Sequence, residues 1–272
     1  MFQLDQLPKL NVPHLAWNVA DLIDVIPPPG TGAEMSVVLS DGFRRIATSV
    51  TVDLATGPGL GGRDNGVESA NAWYYFYAVP GAVAGEFDCV GSLQDPSAGP
   101  IGYAIWRYLG AAFNKGSAAL REFVQLGPAT FENREHEDTQ SYVYAITAAS
   151  PGIGAWVSLA GAALTWSTPL AIASAVHLHA FLDGDPGGNH VLWIDGGAPP
   201  PYTPTAALAS LGGSLITSIA GNRQANASRW VPLRDALLQH YWTTRVGPVD
   251  VSVMCGGWRD KYLLSTSHEM PF

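Results

Sequence analysis

The sequence predicts an all-β protein with two β-sandwich domains of jelly-roll-like form. Short runs of alternating apolar and polar residues, separated by turn residues, recur along the whole chain. One run, 71–79, holds five consecutive aromatic residues, which favour a pleated strand. The 30 glycines and 20 prolines interrupt every stretch that could sustain a long helix. Short strands at close spacing are typical of antiparallel sandwiches.

The aromatic run 71–79 predicts a strand that is apolar on both faces. Successive side chains alternate between faces, so Tyr74 and Phe76 lie opposite the odd-numbered rings. A second sheet can cover one face, and another domain or subunit can cover the other. The simpler alternative is a central strand of an ordinary sandwich. On the first view, the residues predicted to lie between copies of the chain are Trp17, Trp73, Tyr75 and Tyr77.

Residues 1–33 are predicted to form an extended N-terminal arm for attachment or oligomerisation. Prolines fix φ and remove hydrogen-bond donors, so this stretch does not suit a central strand. Residues 16–26 are compatible with a short helix. The alternative is a loose terminus, but the many leucines and Trp17 favour burial against a surface.

The two predicted sandwich domains span 34–135 and 136–272. The charged run 132–138 resembles a solvated connector and places the boundary. In the first domain the predicted strands are 35–39, 43–54 (one strand or two), 71–79, 86–90, 102–113 and 120–126. In the second they are 141–146, 155–164, 174–182, 189–194, 214–219, 230–233, 239–244 and 249–255, with one helical turn within 233–240.

The glycine-rich loop 57–66 contains G-x-G-x-x-G at Gly57, Gly59 and Gly62. A phosphate-binding loop of this type opens a helix, whereas here the aromatic strand follows. The loop therefore predicts a turn and no nucleotide site.

Charge and composition exclude several functions. The net charge of −9 and the lack of a basic run exclude a nucleic-acid footprint. No signal peptide or membrane-inserting segment is predicted, so we expect assembly in the cytoplasm. Cys89 and Cys255 lie far apart in strand-like contexts and are predicted to be buried free thiols.

The sharpest polar cluster lies between 177 and 190. His177 and His179 share a strand face, a geometry that zinc accepts, while Asp183 and Asp185 in the following hairpin suggest calcium. These four residues are the predicted metal ligands. The alternative, which the commonness of such hairpins favours, is a solvent-facing strand that ends in an Asp-Gly turn and needs no cofactor.

The sequence contains no recognisable set of catalytic residues, so the chain is predicted not to be an enzyme. G-x-S-x-G and H-E-x-x-H are both missing from the sequence, and acidic pairs are expected in any acidic chain. The nine Trp and ten Tyr suit a sugar-stacking surface, or core and interface packing.

Several stretches resemble a block found in tailed-phage virion proteins, including tail fibres, tail spikes and head fibres, and in phage-derived gene transfer agents. They are 50–54 with the glycine loop, 72–77, 102–110, 123–125, 231–241 and 249–260, the last ending in Gly-Trp-Arg-Asp. Ser40 to Arg45 occupies the place of a short Gly/Arg-Asp motif but departs from it. The resemblance covers most of 36–260, and its motifs are structural, so no active-site residues carry over.

The resemblance implies a head spike, head fibre or tail protein of a virion that contributes to host-surface attachment. It implies partners that are other virion proteins, a host surface glycan and copies of the chain, with a trimer as the expected state and a fivefold ring at a capsid vertex as the alternative. The alternative function is a carbohydrate-binding module or a glycan-cleaving spike enzyme.

Overall fold

A computed structural model confirms the all-β prediction, with 59% strand and 2% helix. The residues that it describes are 13–28, 32–116, 119–132, 142–149, 156–159, 168–184, 189–196, 215–220, 224–233, 238–244 and 249–263. The chain divides into two compact units between Gly127 and Pro128. This division precedes the predicted boundary at 135/136. The sandwich arrangement of each domain stays a prediction.

The first unit contains three antiparallel sheets. Its strands are β1 (His14–Val19), β2 (Leu22–Ile26), β3 (Met35–Val38), β4 (Arg44–Ala47), β5 (Val50–Asp53), β6 (Ala72–Pro80), β7 (Phe87–Ser92), β8 (Arg107–Asn114) and β9 (Phe123–Leu126). The sheet orders are β9-β1-β2-β5, β3-β4 and β7-β6-β8. The predicted strand 43–54 is thus two strands, β4 and β5.

The helix predicted for 16–26 is wrong, because β1 and β2 form a hairpin there. Leu15, Ile23 and Val25 are buried in the core of the first unit, which is the period-2 pattern of a strand. Ala20 adopts φ 49° at the turn. Because β5 and β9 pair with the hairpin on its two sides, the described part of the predicted arm belongs to this unit's sheet. The expectation that its apolar residues are buried is confirmed for Leu15 and Ile23, while Trp17, Leu22 and Ile26 are half-buried.

The aromatic strand β6 is covered on both faces within the first unit. Tyr74 and Phe76 are fully buried in the core cluster. On the other face Tyr77 is also fully buried. Its ring packs edge-on against Trp106 at 5.3 Å, and its hydroxyl donates to the carbonyl oxygen of Gln94 at 2.7 Å. Tyr77 therefore needs no cover from another subunit, while the interface predicted at the half-buried Trp73 stays a prediction.

Backbone groups of the glycine loop 57–66 form hydrogen bonds within the first unit. The amide of Gly61 donates to the carbonyl of Cys89 at 2.9 Å. The buried guanidinium of Arg63 donates to the carbonyl of Leu54 and to that of Gly66, the latter at 3.2 Å. Arg63 therefore clamps both ends of the loop to one position.

The described residues of the second unit form two sheets. Its strands are β10 (Ala129–Glu132), β11 (Tyr142–Ala149), β12 (Trp156–Ser158), β13 (Ala173–Gly184), β14 (Asn189–Gly196), β15 (Leu215–Ala220), β16 (Gln224–Pro232), β17 (Leu238–Thr244) and β18 (Val249–Asp260). One sheet has the order β16-β13-β18, with β10 and β11 both pairing along the remaining edge of β18. The other has the order β12-β17-β14-β15, and β15 contacts β13 and β16.

The sequence predictions for this unit differ from the structure in one helical turn and in two strand segments that were not predicted, and one predicted strand lies mostly outside the described residues. The helical turn proposed for 233–240 is contradicted at its end, where β17 begins at Leu238, and 234–237 lie outside the described residues. The strand predicted for 155–164 is described only at β12 and residue 159. Neither β10 nor the first half of β16 was predicted.

The last strand, β18, keeps its predicted alternation as far as a β-bulge. Val249, Val251, Val253 and Cys255 are buried. The register with β13 then shifts by one residue, and after the shift Trp258 is the buried side chain. Cys255 and Cys89 are buried free thiols, which confirms that prediction.

Candidate functional site: the Trp230 face

The most distinctive surface of the second unit is the outer side of the sheet β16-β13-β18-β10. Along β13, Val176, Leu178, Ala180 and Leu182 are buried, so the alternate residues point away from the core. We call this side the Trp230 face, and it carries the side chains of Phe131, His177, His179, Phe181, Trp230 and Arg259.

A single cross-strand row brings three rings together on this face. His177 of β13 lies opposite Trp230 of β16 on one side and opposite Gly257 of β18 on the other. Gly257 in turn lies opposite Phe131 of β10. The ring centroids of His177 and Trp230 lie 5.0 Å apart, and those of Phe131 and Trp230 lie 5.6 Å apart. Because Gly257 has no side chain, Phe131 also reaches His177, at 5.9 Å. The row is a compact aromatic cluster drawn from three strands.

A bulge glycine places the second imidazole beside this row. A Cβ on Gly256 would lie 2.8 Å from Nε2 of His179, so the histidine ring occupies the space above the glycine. The centroids of the His177 and His179 rings are 4.6 Å apart, nearly perpendicular. Ser228 Oγ lies 3.2 Å from His177 Nε2, within hydrogen-bonding distance. Nδ1 of His177 is buried and makes no hydrogen bond with the described residues.

Burial shifts the titration of both imidazoles in the same direction. The pKa of His177 is lowered from its ordinary value, first by burial and then by the neighbouring charge of His179. The pKa of His179 is lowered by burial. Both rings therefore keep their neutral form to a lower pH than an ordinary imidazole does.

Arg259 is held on the indole ring of Trp230, with the guanidinium carbon 4.7 Å from the ring centroid. The two side chains meet above β13, where the intervening residue is the small Ala175. Arg259 is exposed, and its guanidinium makes no hydrogen bond or ion pair with another described residue. A stacked guanidinium keeps its in-plane N–H donors available for a planar anion.

The far end of the outer side is polar. Phe181 is 38% exposed and lies opposite Asn226. Gln224 donates to Asp183 at 3.1 Å, and Asp183 lies opposite Asp250. Since Asp183 is four residues along β13 from His179, about 13 Å separates the carboxylate row from the histidines.

This spacing contradicts the predicted grouping of His177 and His179 with Asp183 around one metal. The two imidazoles are adjacent, but Asp183 lies two positions further along the same face, and Asp185 is outside the described residues. Among described residues, no three His, Cys, Asp or Glu side chains are placed to hold a metal ion. Two imidazoles without a third protein ligand fall short of an ordinary zinc site.

The predicted oligomer-interface residues are mostly internal. Tyr77 is fully buried and Tyr75 is 7% exposed, so they offer a second copy almost no surface. Trp17 packs against the core cluster, and the ring of Trp73 contacts Phe113 at 5.2 Å. Only Trp17 and Trp73 of the four keep partial exposure.

Sequence reasoning identified the histidines but missed Phe131, Trp230 and Arg259. A signal was available at 224–230, where Gln, Asn, Ser and Trp alternate with Ala and Arg, as expected of a polar and aromatic strand face. The row itself depends on strand register, which the sequence does not display.

No known family, curated protein or solved structure matches the chain. In the described part of the chain, helices long and apolar enough to cross a bilayer are not found.

Chemically, the Trp230 face offers ring surfaces for stacking and a guanidinium, imidazoles, a hydroxyl and amides for hydrogen bonds.

Proposed function

We propose that the protein is a non-enzymatic structural component of a phage or phage-like particle, a head spike, head fibre or tail protein, that contributes to host-surface attachment. The particle assignment is supported by the resemblance over most of 36–260, whose segments include β5, β6 and β18. The attachment role is supported by one observation, the Trp230 face.

The composition of this face suits sugars better than a protein partner. Sugar rings present C–H faces that stack on aromatic side chains and hydroxyl edges that need directional hydrogen bonds. Phe181 offers ring surface opposite the amide of Asn226, and Phe131 offers ring surface beside His177, which contacts the hydroxyl of Ser228. A host surface glycan is therefore the proposed ligand.

The proposal includes self-association inside the particle, as a trimer or as a fivefold ring, and contact with other virion proteins. Tyr75 and Tyr77 of β6 are buried and offer little surface for this association, whereas Trp17 and Trp73 are half-buried. Light scattering of the purified protein measures its oligomeric state. A monomer at micromolar concentration would contradict self-association.

The direct test of the function is the composition of purified particles. We expect mass spectrometry to find this chain in intact particles at a fixed ratio to the major capsid protein, and antibody against it to reduce adsorption. A particle fraction without the chain would overturn the proposal.

The second candidate is a carbohydrate-binding module or a glycan-cleaving spike. The observation that favours cleavage is the direct cross-strand pairing of Asp183 and Asp250 on the same outer side. Retaining glycosidases hold two carboxyl groups about 5 Å apart. Incubation with host polysaccharide separates the candidates: shortened chains indicate the enzyme, and binding without shortening indicates recognition alone.

A further inference from the structure

We propose that the Arg259 end of the Trp230 face binds a carboxylated sugar, a uronic-acid type of residue within an acidic polysaccharide. The proposal rests on the attachment function and names the class of glycan. Its basis is the combination of an exposed, stacked guanidinium with adjoining rings.

Arg259 supplies the charge complementarity. The chain carries −9 overall, yet the described side chains around Trp230 on this face include one guanidinium, two imidazoles and no carboxylate. The nearest carboxylates on the outer side, Asp183 and Asp250, lie about 13 Å along the strand from His179, beyond the screening length of about 8 Å at physiological salt. An anion is therefore favoured locally on an acidic protein.

The geometry favours a carboxylate. A guanidinium in contact with an indole ring is oriented before the ligand arrives, and its fork of N–H donors matches two carboxylate oxygens. Because the pKa of each imidazole is lowered, the neutral form of both rings is favoured, and the single charge of Arg259 matches the single charge of one sugar acid. The sugar ring then lies toward Phe131 and the histidines, whose rings adjoin Trp230.

The histidines adjust the strength of this binding. As pH falls, His177 and His179 take up protons beside an anion that remains ionised, so affinity rises. The charged group facing them at this end is Arg259, and the carboxylates of Asp183 and Asp250 lie at the other end of the face. Replacement of His179 by Gln is expected to reduce the gain in affinity between pH 7.5 and 5.5.

The test is calorimetric titration of the full-length protein with polygalacturonate oligomers at pH 7.5. We expect binding, with Kd raised about tenfold or more in Arg259→Gln, since a charge-assisted pair of this kind is lost. The matched control is Arg229→Gln, which removes the same charge from an exposed residue of β16 that lies opposite Leu178, on the other side of the sheet. This control is expected to bind like the unchanged protein, and thermal unfolding checks that both variants fold.

Equal affinity of Arg259→Gln and the unchanged protein would overturn the proposal, as would absence of binding. The assignment to a carboxylated sugar would be overturned if the protein bound neutral dextran, dextran sulfate or duplex DNA as tightly as the polyuronate. If the chain is found in particles but does not bind polyuronate, the proposed function stands and this inference is removed. If the chain binds polyuronate but is missing from particles, this binding inference stands and the proposed function is removed.

Discussion

Two adjacent glycines of β18 should lose very different amounts of stability on the same substitution. A Cβ on Gly257 would lie 2.3 Å from the carbonyl oxygen of Thr130 and 3.2 Å from the Cα of Phe131, both backbone atoms of β10. A Cβ on Gly256 would meet side-chain atoms alone, the ring of His179 at 2.8 Å and, in ordinary contact at 3.7 Å, Nδ1 of His177. Gly257→Ala therefore strains strand pairing, whereas Gly256→Ala displaces one ring.

The magnitude follows from these contacts. Ordinary contact begins at 3.4 Å, so β10 must move by about 1 Å to admit the methyl group of Gly257→Ala. Overpacking of this kind costs about 1–3 kcal/mol, and a lost ladder hydrogen bond adds about 1 kcal/mol. Both variants gain about 0.4–1 kcal/mol from reduced freedom of the unfolded chain. We expect a net loss of about 2–3 kcal/mol for Gly257→Ala and a change within about 0.5 kcal/mol for Gly256→Ala.

Thermal unfolding followed by tryptophan fluorescence measures the difference, because the buried Trp258 adjoins both sites. For a domain of this size, roughly 2–4 °C of midpoint corresponds to 1 kcal/mol, so Gly257→Ala should melt about 4–12 °C lower. Equal midpoints for the two variants would refute the reasoning, since the backbone clash is their main difference.

Other predictions concern titration, the glycine loop and the thiols. Because the folded protein lowers the pKa of His177, the unfolded chain takes up its proton first as pH falls. The free energy of unfolding should therefore be highest above pH 6.5, the ordinary pKa of histidine, and should decline below it. The urea midpoints at pH 7.5 and 5.5 should differ less in His177→Gln than in the unchanged protein. Arg63→Ala should lower the free energy of unfolding by about 2–4 kcal/mol, measured with urea, since two carbonyls lose a charged donor; an unchanged midpoint would contradict the clamp. Cys89 and Cys255 should react with a thiol reagent only after denaturation, and rapid labelling of native protein would contradict their burial.

Alternation and composition were enough to predict the strands with a strong local signal. The valines of β18 and the aromatic run of β6 alternate or cluster so strongly that tertiary context does not alter their conformation. In β1 and β2 the local signal was ambiguous, because the prolines on either side obscured the alternating pair Ile23 and Val25. Pairing with β5 and β9 decided that segment as strand.

The residues that cover β6 and those that form the Trp230 face could not be predicted from local sequence patterns. Burial of Tyr77 depends on Trp106 and on the carbonyl of Gln94, which reach it from later segments of the chain. Phe131 and His177 meet because both strands pair with β18, and the bulge at Gly256 sets which side chains align. A single sequence reveals candidate rings, but register determines which of them touch.

The position of β18 has a consequence for biosynthesis. This strand lies between β13 on one edge and β10 with β11 on the other, yet it is translated after all three. Until it leaves the ribosome, the earlier strands expose unpaired edges that invite association with other nascent chains. The first unit, whose strands all precede Gly127, has no such delay. Synthesis arrested before Val249 should therefore leave the second unit sensitive to protease and the first unit resistant, and equal resistance of both would contradict this order of folding.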